Sequence, residues 1–582
     1  VARQHQRDPP LPREPLQLAL DPGDVRPTQP VERRDGAGLE KVGHRPSLTT
    51  RRGGAQGDAA GSRARRFHPT MRGPVRLVVA HYHFRPGGVR SVIESATGAI
   101  AARTGAGEVL LLAGEPPDPH WATRFARRIA PARLEIAVIP GAGYLSEQSA
   151  TTPGLARRIE RLLAERPVAA LWAHNLALGR NLHLAVALAR ACAHRAIPLV
   201  ALHHDWWFDQ RWQRWPEMRA SGFRTLRSVA RALFPESAPV AHATVNRGDA
   251  AMLAEGGLPE PSWLPNPVEH PDPPDSRRLR ETQRWLRGAT GTAGPIWLAP
   301  SRWLRRKNIA EGLLLARWLR PGATLATTGA PSSPDEGKAA AALARAAQQN
   351  GWPYRPGLLA QTDPSAPAVP ELIAACEAVV VTSVHEGFGL PALEAAAAGR
   401  PSLLRILPGV TSDLESLGFA FPHAYGEIAV PPDLFDWNAE AQRQHQRFGA
   451  WRLRLPRALR AAAEPPALLG LGEPSPVPFS RLTPEAQREV LRHPAPTSWV
   501  ASAPLNPLLA DWRIRAAEQA LEPAPWPERA ESLAPSAYAD RFASALGRAG
   551  KGPAPDAAES ILFRCITARL AASRHFPILW EP

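Results

Sequence analysis

Lysine is nearly missing from this chain of 582 residues. It stands only at Lys41, Lys307, Lys338 and Lys551, so arginine carries almost all of the net charge of +16. With the heavy use of Ala and Pro, this reads as the amino-acid usage of a GC-rich genome. Basic residues are spread along the chain and no RNA- or DNA-binding motif accompanies them, so no nucleic-acid partner is expected. The charge is compatible with peripheral contact with an anionic membrane surface. Cysteine is scarce as well. Cys192, Cys376 and Cys565 lie far apart without metal-ligand spacing, which argues against a disulfide framework and fits a reducing cytoplasm. No apolar run approaches the length of a bilayer-spanning helix, and a soluble cytoplasmic protein is expected. The lack of a Ser-His-Asp arrangement or a phosphate-binding P-loop leaves hydrolase and kinase readings unsupported.

Length alone implies two or three domains. Residues 1–70 are rich in Pro, Arg, Gly and Asp and show no apolar periodicity, as expected of a disordered extension. The first methionine, Met71, directly precedes the first convincing strand, and translation starting there is one reading of the extension. From residue 76 the pattern becomes α/β, with strands over 76–82, 169–172, 199–202 and 243–245 and a helix running to about 102. Several of these strands end in polar residues: His174-Asn175, His203-His204-Asp205 and Asn246-Arg247. The turn-rich run 264–274 predicts a hinge. A second α/β series follows, with strands over 296–299, 324–327, 378–382, 402–406 and 427–430. Beyond 440, helical stretches such as 484–491 and 537–546 lie among many prolines. The expected domains are therefore 71–270 and 271–440, followed by a mostly helical extension over 441–582.

The most informative segment runs from Val379 to Glu394. Continuous valine predicts a strand covered on both faces, followed by the Gly-rich loop Glu386-Gly387-Phe388-Gly389 and a short helix. Pro391 suits the first helical position and Gly399 the stop. A helix N-terminus would thus face the carboxyl edge of a sheet, where open α/β folds bind anions. The string Glu-Gly-Phe-Gly-Leu-Pro-x-Leu-Glu-Ala resembles the Glu-x7-Glu donor-binding motif of glycosyltransferase family 4, the retaining enzymes of the GT-B fold. The resemblance covers roughly residues 74–440. It implies two Rossmann-like doubly wound domains facing a cleft, the first selecting the acceptor and the second holding a nucleotide-sugar. By this resemblance, Glu386 and the backbone of Gly387, Phe388, Gly389 and Leu390 meet the donor's sugar and phosphates, and Glu394 binds the ribose hydroxyls.

Other elements fit the same family. Ser301-Arg302-Trp303-Leu304-Arg305-Arg306-Lys307 resembles its Arg-x4-Lys element, which places Arg302 and Lys307 on the donor diphosphate. Gly87-Gly88 resembles the loop after the first strand of its N-terminal domain, close to the phosphates. His204, with His203 as the near alternative, resembles the histidine that approaches the donor sugar. The neighbouring Trp206, Trp207, Phe208, Trp212 and Trp215 suit either a sugar-stacking wall or simple core. His174-Asn175 would line the cleft, while Asn246-Arg247 and Asn266 would be structural at the domain boundary. No Asp-x-Asp motif stands at a strand end, so neither a metal nor another cofactor is expected. The implied reaction is glycosyl transfer with retained configuration to a glycan, lipid or small-molecule acceptor. Alternatives are a GT-B nucleotide-sugar hydrolase or epimerase, or a non-catalytic sugar-binding member.

Overall fold

The computed structural model describes residues 73–147, 154–209, 211–270, 274–331, 333–361, 363 and 365–571. The expected N-terminal extension and residues 271–273 of the expected hinge lie outside them. The first domain is a seven-stranded parallel sheet of β1 (Arg76–Ala80), β2 (Glu108–Ala113), β3 (Arg133–Val138), β4 (Val168–His174), β5 (Leu199–His203), β6 (Val240–Thr244) and β7 (Ser262–Trp263). Its spatial order is β3-β2-β1-β4-β5-β6-β7. Alternation along β1 shows why the strand reads as unbroken apolar sequence. Leu77 and Val79 enter one core with the helices Gly88–Thr104 and Pro535–Gly547, while Val78 and Ala80 enter the other with Leu155–Ala164 and Leu182–Arg195. Every residue of β1 is buried, and the Leu77, Val78 and Val79 side chains each contribute roughly 1.5–3 kcal/mol.

The second domain repeats the plan with β8 (Ile296–Arg302), β9 (Thr324–Gly329), β10 (Tyr354–Arg355), β11 (Ala378–Val381), β12 (Ser402–Arg405) and β13 (His423–Tyr425), all parallel in the order β10-β9-β8-β11-β12-β13. Two doubly wound parallel-sheet domains with a helical extension are the architecture that the GT-B resemblance implies. One strand was misplaced. The sixth strand of this sheet is 423–425, whereas Ala429–Val430 leaves the sheet and pairs antiparallel with Val477–Pro478. Polar side chains fix the true strand: the Tyr425 hydroxyl donates to buried Glu311 at 2.6 Å, and Glu311 also pairs with Arg405. An apolar-run reading overlooks a His-Ala-Tyr strand held in this way.

The C-terminal helices do not stand apart. Pro507–Ala517 packs on the helix Ile309–Leu319 of the second domain, whereas Pro535–Gly547 and Pro555–Leu570 pack on helices of the first. Apolar packing also joins the two sheets, since Phe388, Leu393 and Leu414 share a core cluster with Leu77 and Val79. Among the described residues no helix is long and apolar enough to cross a membrane. The three cysteines are buried and free.

Both sheets reverse their winding direction, the first between β1 and β4 and the second between β8 and β11. At such a switch point the loops leave on opposite faces and open a crevice at the carboxyl edge. The segments after β1, β4, β8 and β11 are those that carry the candidate residues.

Candidate functional site between the two sheet edges

The loops after β8 and β11 are tied together by backbone and side chain alike. Val384 N–H donates to Arg306 O at 2.8 Å, and the Thr382 hydroxyl donates to the carbonyls of Lys307 and Asn308, each at 3.0 Å. Arg306 Nη1 donates to His385 O at 2.7 Å. These bonds bring together residues separated by about eighty positions in sequence. At the centre lies the Glu386 carboxylate, which accepts from Lys307 Nζ, from Arg306 Nη1 at 3.1 Å and from the Ser383 hydroxyl at 2.5 Å. Burial alone would raise its pKa, but Lys307 and Arg306 outweigh that and hold it down at about 2. Lys307 and Glu386, given separate ligand roles by the resemblance, are thus partners of one another.

Arg302 ends β8 on the exposed side, and its guanidinium makes no hydrogen bond or ion pair among the described residues. It faces the first domain, where a Cβ placed on Gly87 would stand 3.5 Å from Arg302 Nη2. Gly87 has φ 156° and ψ 172°, a region open in practice only to glycine, and caps the seventeen-residue helix Gly88–Thr104. The positive end of that helix and the free guanidinium therefore converge from opposite domains.

A second contact closes the edges. A methyl group on Gly387 would stand 2.9 Å from His204 O, and Asn246 Nδ2 donates to Gly387 O at 3.0 Å. Arg247 follows suit, its backbone N–H donating to Asp413 Oδ2 at 2.8 Å. Gly389 has φ 86° and caps the helix Leu390–Ala397, in which Pro391 occupies the second position and not the first as expected. Gly399, at φ 60°, follows its end. The Phe388 side chain is buried in the shared core, which leaves only its backbone for a ligand. Glu394 lies on this helix, and its carboxylate makes no hydrogen bond among the described residues. Burial raises its pKa.

His203 and His204 separate cleanly. His203 pairs with His242 at 3.1 Å and stacks beneath Trp206, within the core. His204 turns the other way, its Nε2 lying 3.1 Å from His174 Nδ1. The Asn175 side chain, from a residue with φ 61°, accepts from the backbone N–H groups of His204 and Asp205 at 3.2 and 3.0 Å and so shapes this corner. The aromatic run supplies no sugar-stacking wall: Trp206, Trp207, Phe208, Trp212 and Trp215 are buried together in a core cluster. Their spacing could not distinguish the two cases, because a ring of either kind reads the same in sequence.

Several participants were not anticipated. Arg306 lay hidden within its own basic run. Ser383 and Asn308 gave no signal. Glu311 was visible only as a lone acid in the apolar helix Ile309–Leu319, and it accepts from Asn308 Nδ2 at 2.9 Å, bracing the end of the basic loop. Asp209 approaches His385 Nε2 at 4.0 Å and Arg569 Nε at 3.2 Å, so the last described helix reaches the site's margin. Among the described residues no group of three or more His, Cys, Asp or Glu is arranged to hold a metal ion.

No family model matches the chain. Over 333 residues it is 23% identical to the mannosylglucosyl-3-phosphoglycerate synthase of Petrotoga mobilis, covering 55% of this chain and 62% of that protein. It thus spans about three fifths of the length of that curated relative. Similar solved structures include HepE of Anabaena in complex with UDP-glucose, at 18% identity and a TM-score of 0.41 over 58% of this chain and 82% of that one. Another is WaaG, a glycosyltransferase involved in lipopolysaccharide biosynthesis, at 16% identity and a TM-score of 0.42 over 80% and 98%. Likenesses of this depth carry no argument about chemistry.

Two outcomes follow from this geometry. Gly387→Ala must displace the His204 carbonyl, and a loss of about 1–3 kcal/mol is expected. At Gly88 an added methyl meets nothing within 4 Å, so Gly88→Ala should be neutral or slightly stabilising. Melting curves of the pair compare crowded with open glycine, and equal melting temperatures would discount the inter-domain contact.

The second outcome concerns acid. Burial, the largest cause in each case, lowers His204 and His242 to about 4 and His81 and His385 to about 3, and pushes His174 and His203 well below 6.5. Below pH 6.5 the unfolded chain takes up protons that the folded chain refuses, so stability falls as pH drops from about 6.5 towards 4. Each histidine contributes up to about 1.4 kcal/mol per pH unit. A melting temperature that stays flat from pH 7.5 to 5 would show that these imidazoles are not held neutral.

Proposed function

We propose that this protein is a glycosyltransferase that moves a sugar from a nucleotide-sugar donor to an acceptor with retention of anomeric configuration, as a member of glycosyltransferase family 4 acting in the cytoplasm. The observation that carries this reading is the convergence at two switch points of Arg302, the Gly87 helix N-terminus and the Lys307–Glu386–Arg306 cluster, all at facing sheet edges. Such an arrangement suits a diphosphate, whose departure adds negative charge that fixed cations and a helix end stabilise without reorganising.

In this reading the bond between the anomeric carbon and the diphosphate oxygen breaks. The acceptor oxygen bonds to that carbon on the same face, and its proton passes to an oxygen of the leaving diphosphate. Arg302 and Lys307 stabilise the leaving group. Glu386, kept ionised by its two cations, accepts from sugar hydroxyls, and neutral His204 can donate or accept at the same sugar. The backbone of Gly387 to Leu390 approaches the phosphates, and Glu394, with no hydrogen bond among the described residues, accepts the ribose hydroxyls. The cations already present offset the diphosphate charge, so no metal is required.

The two glutamates should separate kinetically. Glu394→Ala is expected to weaken donor binding with turnover largely kept, because ribose contacts are alike in ground and transition states. Glu386→Ala should chiefly lower turnover, since it faces the reacting sugar and orders Arg306 and Lys307. Each effect should be on the order of tenfold to hundredfold. Saturation kinetics with a donor found by screening nucleotide-sugars reads both, and normal affinity and turnover in both variants would remove the assignment.

Metal dependence gives an independent check. Activity should persist in excess chelator, and a complete loss restored by added divalent cation would contradict the metal-free mechanism.

A further inference from the structure

We propose that the first domain carries a second anion-binding site, built on Arg180 against the ring of Tyr144, and that the acceptor is a molecule presenting a phosphate or carboxylate there. The inference rests on the glycosyl-transfer reading above and adds the chemical class of its second substrate.

Arg180 follows the single turn Leu176–Leu178 after β4, at the same sheet edge as His174 and Asn175. Its guanidinium lies over the Tyr144 ring, 4.7 Å from the centroid, and Nη1 donates to the Ser146 hydroxyl at 3.4 Å. Among the described residues it pairs with no carboxylate. The acid in electrostatic reach, Glu217, is committed to Arg214 at 2.5 Å, and Arg211 is committed to Asp205 at 3.2 Å. Among the described residues, positive charge therefore accumulates at Arg180 without a counterion. Burial first, and then repulsion from Arg214, push its pKa down to about 10, the direction a bound anion would reverse. With one face against tyrosine, the edge of the planar fork remains for an oxyanion, which it can engage with two parallel N–H groups.

The site is continuous with the proposed reaction centre. Tyr144 meets His83 with ring centroids 4.9 Å apart and Tyr82 at 5.1 Å. The Tyr82 hydroxyl donates to Asn175 O at 3.3 Å, and Asn175 orders His204 and Asp205. From the other domain, Arg302 is within electrostatic reach of Tyr144. Arg302 serves the donor diphosphate in the reading above, so Arg180 is the cation that the donor leaves unused. An acceptor anchored here would direct a hydroxyl along the Tyr82–Asn175 edge towards His204.

The test uses the full chain, a panel of nucleoside diphosphates (UDP, GDP, ADP and dTDP) and paired probes. With the diphosphate that binds held at saturation, calorimetric titration compares glucose 6-phosphate with glucose, and a parallel arm offers phosphatidylcholine vesicles with and without phosphatidylglycerol. The expected result is that one anionic probe binds and its neutral counterpart does not. Arg180→Gln should weaken that probe about tenfold or more, Arg180→Lys should restore part of the loss, and nucleoside diphosphate affinity should be unchanged in both. The responding arm tells a soluble phosphate from a lipid headgroup.

Phenylglyoxal labelling read by mass spectrometry on the unmutated chain keeps the test independent of variant folding. Bound probe should protect Arg180, whereas the neutral counterpart should not. The proposal falls if no anionic probe binds, if the neutral probe binds equally, or if Arg180→Gln leaves affinity intact. A chain that binds glucose 6-phosphate through Arg180 but no nucleoside diphosphate would overturn the glycosyl-transfer reading and retain the anion site.

Discussion

The buried carboxylate of Glu386 is the constraint on which the rest of the site depends. A lone charge at that position would be costly, and Lys307, Arg306 and Ser383 together hold its pKa well below the ordinary carboxylate range. The same contacts lock the loop after β8 to the loop after β11, because Arg306 also holds the His385 carbonyl. Removing Glu386 would leave Lys307 and Arg306 close together without their shared carboxylate, while the backbone and Thr382 ties between the loops would remain. The cluster thus sets both the electrostatics and the shape of the second domain's edge.

That edge meets the first domain through glycine. At Gly387 the absence of a side chain lets the loop lie against the His204 carbonyl, and at Gly87 glycine permits the φ of 156° that caps the helix facing Arg302. Around these close approaches the structure adds apolar packing through Phe388 and Leu393 and polar ties through Asn246 and Arg247. The C-terminal segment contributes as well, with Arg569 pairing with both Asp209 and Asp249 of the first domain. The helical extension is therefore part of the frame that holds the site.

Charge is distributed unevenly over the two edges. On the second domain most cations are already matched by Glu386, and Arg302 is left over. On the first domain Arg211 and Arg214 have carboxylate partners, and Arg180 has none among the described residues. The two unmatched guanidiniums stand on opposite domains with Tyr144 in reach of both. An enzyme that joins two anionic substrates would need such a separation, one cation for each.

By itself the sequence determined the alternation of strand and helix, the two sheets and the strand–loop–helix around Glu386, because continuous apolar strands and Gly or Pro at fixed φ are local signals. The residues at the ends of β1, β4, β8 and β11 were legible for the same reason. Partnership was not. Lys307 bonding to Glu386, His204 turning towards His174 while His203 turns into the core, and five aromatic residues packing inward were decided only by tertiary structure. Burial and pairing depend on what another segment brings to the same place, often hundreds of positions away, as with Arg569 and Asp249. The misplaced sixth strand has the same origin. Buried polar contacts to Glu311 outweighed local apolar pattern in choosing which segment completes the sheet.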